Sequence, residues 1–331
     1  SDCYVYVKEN YPERVPFLNY FFTEGNYFAA GYVNGLPSFN FNEEKYIEEL
    51  LKFFTSSKPD NKELIIIDGG STDKTKEIVF EWIKNYDNIK LIHNQNKTVP
   101  FALNMGIRES KGEVIVRLDA HSRYSIDYFE KIIETFETTN ADIVGGPTRI
   151  AYKDDFQEAY SVVFYSKMGF GDSKVHETNF NGFTDHVTFG AWKKDIFDDT
   201  GFFDTELVRN QDLEFHYRAK SIGKKIFMNS EIKLWYYPRN NFKDLFFQNY
   251  KNGYFKPIVM KKINSEIKLR HLIPPFFCIY LAGFPVFFLS FLLIIPLLLY
   301  IFIIAFIAHN SKLSFNKKIN ILKIFPAIHI A

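Results

Sequence analysis

From Leu272 to Ala308 the chain carries no charged side chain. This run, LIPPFFCIYLAGFPVFFLSFLLIIPLLLYIFIIAFIA, is dense in Phe, Ile and Leu. A soluble core helix does not stay uncharged for so long. One membrane span takes about 20 apolar residues, so the run is long for one span and just long enough for two. Lys261, Lys262, Lys268 and Arg270 precede it, and Lys312, Lys317, Lys318 and Lys323 follow it. Positive residues mark the cytoplasmic side of a span. The flanks therefore predict a transmembrane helical hairpin over 272–308 with both ends in the cytoplasm. Pro274 and Pro275 would open its first helix, with Pro285 or Pro296 at the break. One long tilted helix or a re-entrant segment is the competing reading. The basic stretch 309–331 ends in IFPAIHIA, which reads as the start of a further apolar segment in a chain cut at Ala331.

Upstream, strand and helix alternate. ELIIID (63–68), NIKLIH (88–93), EVIVRLD (113–119) and ADIVGG (141–146) read as strands. Helical patterns fall between them at 71–86, 99–110 and 126–139. That alternation predicts an α/β fold with a mainly parallel sheet flanked by helices, and such sheets bind ligands at the carboxyl ends of their strands. Residues 1–37 do not follow the rhythm and stand apart as an atypical N-terminal segment. CYVYVK could be a strand there, and GYVNGLP is rich in turn residues.

The formal net charge of +1 gives no electrostatic reason to expect a nucleic acid partner. The two cysteines, Cys3 and Cys278, offer neither a disulfide framework nor a thiolate metal site, which suits a reducing compartment. The N-terminus lacks the basic and apolar regions of a secretory signal.

Three short stretches could carry chemistry. In IIIDGGSTDKT, Gly69 and Gly70 let the backbone turn after a strand, beside Asp68, and a helix N-terminus follows. A capped turn without a ligand explains the stretch equally well. In RLDAH, Asp119 and His121 stand two residues apart, and together they could reach one Mn2+ or Mg2+. An Asp capping the next turn beside a surface His is the bland alternative. In LVRNQDLEFHYRAKSIGKKI, Asp212 and Glu214 open a short helix. A carboxylate there could act as general base, although acidic residues also suit any helix start. The chain has neither GxGxxG nor GxxxxGK[ST]. His93, His176, His216 and His309 lack partners at ligand spacing, and Trp82 and Trp192 read as core.

Taken together and in order, NEEKYIEELL, IIIDGGSTDKT, IVRLDAHSRY, DIVGGP, TFGAWKKDIFDDTGFFDTELVRNQDLEFHYRAKSIGKKI, LWYYPR, QNYKNGYFKP and LRHLIPP resemble family 2 glycosyltransferases of the GT-A fold. They are most similar to the bacterial succinoglycan and exopolysaccharide type. The resemblance covers roughly residues 38–275 and implies a glycosyltransferase domain over 38–271. It implies that Asp68 bonds the uracil or ribose of a nucleotide-sugar, with Asn42 and Glu43 close to the nucleotide. Asp119 and His121 would replace the family's metal-binding D-x-D. Asp212 would be the general base, with Gln211 beside it where many members carry Glu. Gln248, Lys251 and Tyr254 would line the donor and acceptor, in a motif only partly kept. Phe39 stands where the family's first strand usually ends in Pro.

The activity so implied is inverting, metal-dependent transfer of a hexose from a UDP-sugar. The acceptor would be a saccharide or a polyprenyl-diphosphate-linked saccharide. The catalytic domain would face the cytoplasm at the lipid bilayer. A catalytically silent GT-A scaffold or sugar-binding subunit is the alternative. A nucleotidyltransferase is disfavoured, because no Gly-rich, basic triphosphate loop is found.

Overall fold

A computed structural model of the chain describes residues 3–4, 27–32, 43–44, 46–171, 173–264, 269–283 and 291–331. Its strands are β1 (Cys3–Tyr4), β2 (Tyr27–Tyr32), β3 (Lys62–Asp68), β4 (Ile89–His93), β5 (Val114–Asp119) and β6 (Ser122–Tyr124). They continue with β7 (Ile143–Gly145), β8 (Thr148–Ile150), β9 (Gly182–Phe183), β10 (Ala191–Lys193), β11 (Ile226–Met228) and β12 (Leu234–Tyr236). The helices are α1 (Ile47–Ser56), α2 (Thr75–Ile83), α3 (Val99–Glu109), α4 (Tyr128–Thr139), α5 (Asp155–Tyr165) and α6 (Lys167–Phe170). After them come α7 (Ile196–Thr200), α8 (Gln211–Ser221), α9 (Phe242–Lys262), α10 (Leu269–Ala282), α11 (Ile295–Asn310) and α12 (Phe315–Ile330). The chain divides into two compact units. The first takes residues up to Arg149 together with Glu177–Tyr236, and the second takes Ile150–His176 and Tyr237–Ala331.

The first unit is built on a mixed sheet in the order β1-β3-β2-β5-β10-β7-β11-β9, with β4 also paired to β3. Strands β2, β3, β4 and β5 run parallel. Strand β10 runs antiparallel to both β5 and β7, and β11 lies parallel to β7. A small second sheet has the order β6-β12-β8. All seven residues of KELIIID in β3 are buried, the signature of a strand covered on both faces. Helix α1 turns Ile47, Leu50, Leu51 and Phe54 inward at helical spacing. With Val79, Ile132 and the strand residues Leu64, Ile66, Val116 and Leu118 they form one core. Strand β5 is fully buried too, yet it contains Arg117 and Asp119. Residues i and i+2 share a face of a strand, so the two charges can satisfy each other where water cannot reach.

Strand β2 lies within the segment set apart as atypical, and it fills the slot between β3 and β5. Phe39 lies outside the described residues. YFAAGY escapes a strand reading because Ala29, Ala30 and Gly31 are poor strand formers; backbone pairing on both sides, not propensity, holds it. The predicted hairpin over 272–308 is described only in part. Among the described residues one helical segment, Leu292–Asn310, is long and apolar enough to cross a bilayer, with a mean hydropathy of 2.7. Helix α10 has 14 residues, short of the roughly 20 that a span takes, and residues 284–290 lie outside the described set.

The second unit holds α5, α6 and α9–α12. Its last helix, α12, buries Ile321, Ile324 and Phe325. Lys317 of α12 bridges Asp155, at 3.1 Å, and Glu158 of α5. His329 accompanies it with a ring nitrogen 2.9 Å from the Met168 carbonyl oxygen.

Candidate active site

The register of β2 sets the frame of the site. Tyr32 pairs with Ile67 of β3 on one side and with Asp119 of β5 on the other. The carboxyl ends of β3 and β5 are therefore level, two strand spacings or about 10 Å apart. Asp68 closes β3 and Asp119 closes β5.

Asp68 is fully buried and holds the glycine turn. Gly70 N–H donates to its carboxylate at 3.1 Å, and Ser71 N–H donates at 3.0 Å. Gly70 has φ +103°, a backbone open to glycine and strained for other residues. The Asp68 carbonyl oxygen accepts from Asn94 N–H and lies 3.0 Å from His93 Nδ1, which gives His93 a structural partner that sequence spacing did not reveal. Asp73, further along the turn, accepts from Thr75 N–H and from Glu44 N–H, both at 3.0 Å. The Glu43–Glu44 backbone is thereby tied to the DGGSTD loop. Asn42 lies outside the described residues.

Asp119 is bound twice by Arg117, Nε to Oδ1 at 2.9 Å and Nη2 to Oδ2 at 3.1 Å. Its N–H donates to the Tyr124 hydroxyl at 2.6 Å, pinning the turn into β6. Burial, and then the Asp119 charge, push the Tyr124 phenol well above its ordinary pKa, so it stays neutral. His121, in that turn, is buried and places Nδ1 3.3 Å from Glu43 Oε1. The Glu43–His121 contact spans 78 positions of sequence.

The donor set around Asp119 can be tested against a divalent cation. Among the described residues no three His, Cys, Asp or Glu side chains form a metal cluster. Two donors remain, Asp119 and His121. Each carboxylate oxygen keeps a lone pair after accepting from Arg117. A proton on His121 Nδ1 facing Glu43 leaves Nε2 as a metal donor, the usual way a carboxylate orients a ligating histidine. An O/N pair suits Mn2+ or Mg2+, so the residues fit the ion the sequence implies, provided a ligand and water complete its shell.

The third carboxylate belongs to α8. Asn210 takes a left-handed backbone, φ 58°, just ahead of the helix. Gln211 is buried and Asp212 half-buried in the first turn. Burial pushes the Asp212 carboxyl up. The neighbouring His186, Arg117 and His216 side chains, with the Leu213 N–H, outweigh it and hold the group below the ordinary carboxylate value. Glu214, the other acidic residue at this helix start, is taken by Arg218 through two bonds of 2.8 Å. Gln248, Lys251 and Tyr254 lie on α9 in the second unit; there Gln248 accepts from Arg239 Nε at 3.2 Å and Tyr254 is exposed.

Sequence reasoning missed Arg117, which looked like part of a strand, and the link from Glu43 to His121. It also missed His186 and His216. His186 Nδ1 and His216 Nδ1 are 2.7 Å apart, and His186 Nε2 is 4.0 Å from Asp212 Oδ2. His216 follows Asp212 by four residues on a helix, a spacing that puts both on one side. That signal was available in the sequence.

A mixed sheet with aspartates at the ends of two parallel strands that flank a third is the arrangement of a GT-A-like enzyme. The solved mannosyltransferase of Pyrobaculum calidifontis, in complex with GDP-Man and Mn2+, has the same fold at TM-score 0.58 and 16% identity, covering 93% of this chain and 88% of that one. The family model for glycosyl transferase family 2 matches residues 39–201. The succinoglycan biosynthesis protein ExoA of Rhizobium meliloti is 30% identical over 237 residues, 70% of this chain and 72% of that protein. A Methanococcus voltae enzyme is 29% identical over 283 residues, 82% of this chain and 85% of its own length. It is named as a dolichyl N-acetyl-alpha-D-glucosaminyl phosphate 3-beta-D-2,3-diacetamido-2,3-dideoxy-beta-D-glucuronosyltransferase. The protein is a glycosyltransferase. It belongs to family 2, and within it resembles the exopolysaccharide-biosynthesis type.

Proposed function

We propose that the chain transfers a hexose from a UDP-sugar to a saccharide or polyprenyl-diphosphate-linked saccharide, with inversion at the anomeric carbon, in the synthesis of a cell-surface glycan. One contrast in exposure carries this reading. Asp68 is 0% and Asp119 2% exposed, whereas the Asp212 side chain is 25% exposed. Of these three, Asp212 is the carboxylate an acceptor can approach.

In this reading Asp68 and the Gly70–Ser71 turn bind the nucleotide, with Asn42 and Glu43 beside it. Asp119 and His121 hold Mn2+ or Mg2+, which when bound offsets the negative charge of the leaving diphosphate. Asp212 accepts the proton of the acceptor hydroxyl as its oxygen attacks the anomeric carbon. The bond from that carbon to the diphosphate oxygen breaks on the opposite face. The nucleoside diphosphate leaves with the electron pair, so an α-linked donor yields a β-linked product. Gln211, Gln248, Lys251 and Tyr254 are proposed contacts to donor and acceptor.

The apolar run at 272–308, basic on both flanks, anchors the chain as a hairpin at the cytoplasmic membrane, with the catalytic domain in the cytoplasm. The apolar segment Leu292–Asn310 supports the anchoring. Release of nucleoside diphosphate from UDP- and GDP-sugars, with Mn2+ or Mg2+, tests the activity. Full turnover by Asp212→Asn overturns the base assignment. No release from any donor, with no metal-dependent nucleotide binding, favours the silent scaffold.

A further inference from the structure

Asp212 is not a lone carboxylate. It heads a line of three side chains that runs inward through His186 to His216. His216 is fully buried, packed beside Trp192 and Phe215, and its second ring nitrogen, Nε2, has no hydrogen-bond partner among the described residues. Burial pushes the His216 imidazole down to about 3, so it is neutral at working pH.

The two Nδ1 atoms, 2.7 Å apart, share one proton. Two arrangements are open to a neutral pair. If His186 held the proton on Nδ1, its Nε2 would turn a lone pair toward the Asp212 carboxylate, which is repulsive. His216 would then carry a buried N–H with no acceptor, a cost of about 1–3 kcal/mol. If His216 donates from Nδ1 instead, His186 carries its proton on Nε2 and turns an N–H toward Asp212. The electrostatics favour the second arrangement.

We infer that His186, its tautomer fixed by the buried His216, is a positioning residue for Asp212: its Nε2–H steadies the ionised carboxylate in the orientation from which it takes the acceptor proton. At 4.0 Å the contact is longer than a hydrogen bond, and a small side-chain rotation or one water closes it. His186 touches no reacting atom. A third group that sets the tautomer of an imidazole beside the reacting group is a general device of proton-transfer sites. Here the order differs, because the carboxylate faces the substrate and the imidazoles stand behind it.

The inference rests on Asp212 being the general base, and the test separates the two. Steady-state turnover is measured on the full chain for Asp212→Asn, His186→Leu, His186→Gln, and Asp212→Asn combined with His186→Leu. His186→Leu is expected to lower kcat roughly 10- to 100-fold, a fraction of what a general base contributes, with the donor KM within about twofold of wild type. His186→Gln, which keeps an N–H donor, recovers most of that loss. In the Asp212→Asn background His186→Leu has no further effect, as for groups acting as a unit.

If Asp212→Asn is inactive while His186→Leu turns over like wild type, this inference alone fails. If Asp212→Asn itself turns over fully, the base assignment fails first. Equal losses in both His186 variants, with a rising donor KM, reduce His186 to a packing role and overturn the inference. Nitrogen NMR of labelled histidine gives a reading independent of folding defects in the variants: His186 is expected as the Nε2–H tautomer, and an Nδ1–H tautomer overturns the inference.

Discussion

Arg117 and Asp119 close a two-point ion pair on one face of a buried strand, at 2.9 and 3.1 Å. The pair lets a fully covered strand end in a charge. It also leaves Asp119 held in place, with lone pairs to spare. Arg117 further acts on Asp212, whose carboxyl it helps to hold down. One guanidinium thus serves two of the three aspartates of the site.

Removing that guanidinium leaves a buried carboxylate unpaired. Arg117→Ala is expected to cost about 3–5 kcal/mol of stability. Arg117→Lys should recover part of the loss, since an ammonium cannot match both oxygens at once. Denaturant unfolding of the variants measures both, and a loss below about 1 kcal/mol for Arg117→Ala would show the pair to be solvated.

The fit of Asp119 and His121 to a divalent ion can be checked without turnover. Titration of Mn2+ in the presence of UDP, followed by calorimetry, should show weaker binding for His121→Ala. Glu43→Gln should weaken it roughly 10-fold, the size of effect expected when a group orienting a ligand is changed. Unchanged affinity in His121→Ala would take His121 out of the site.

Two glycines of the sequence motifs act through different physics. A Cβ on Gly146 would stand 1.8 Å from the Ile232 carbonyl oxygen, part of a backbone with no freedom to yield. Gly146→Ala should therefore cost more than about 3 kcal/mol, beyond the usual range for overpacking. Among the described residues a Cβ on Gly70 meets nothing nearer than 3.7 Å, the end of Lys97. Only its φ of +103° resists, so Gly70→Ala should cost about 1–3 kcal/mol and raise the donor KM. Thermal unfolding ranks the two.

Acid should destabilise the fold ahead of ordinary carboxylate protonation. Burial lowers His216 from 6.5 to about 3 and His176 from 6.5 to about 4. The unfolded chain binds these protons below pH 6.5 and the folded chain does not. Stability is therefore complete above about 6.5 and falls as the pH drops toward 4, by about 1.4 kcal/mol per pH unit for each proton. His176 packs edge-on against Phe164 at 4.3 Å, so His176→Leu keeps an apolar fit and should flatten that slope. An unchanged slope in the variant would mean that the imidazole titrates normally.

Much of the sheet was legible because its strands repeat one pattern. The expected strand at 63–68 is Lys62–Asp68, and the one at 113–119 is Val114–Asp119. Continuous apolar runs between turn residues have few other readings. Asp68 and Asp119 were legible for the same reason, as carboxylates at the ends of such runs. Strand β2 was not, since its small residues carry no hydrophobic period. The partners of the site residues were hidden as well. Glu43 meets His121 and His186 meets His216 across 78 and 30 positions, and only the folded sheet supplies those meetings. His216 is hidden for a different reason: no metal-ligand spacing singles it out, although it shares a helix face with Asp212.

The placing of β2 reaches beyond the description of a sheet. A fragment begun at residue 38, where the family resemblance starts, would lack the strand between β3 and β5. Two hydrophobic strands would then face each other across an empty row, with the amides and carbonyls that point into it left bare. Such edges recruit other chains, so a trimmed version would sooner form insoluble aggregates than a smaller enzyme. The least family-like part of this chain is thus the keystone of its most family-like part.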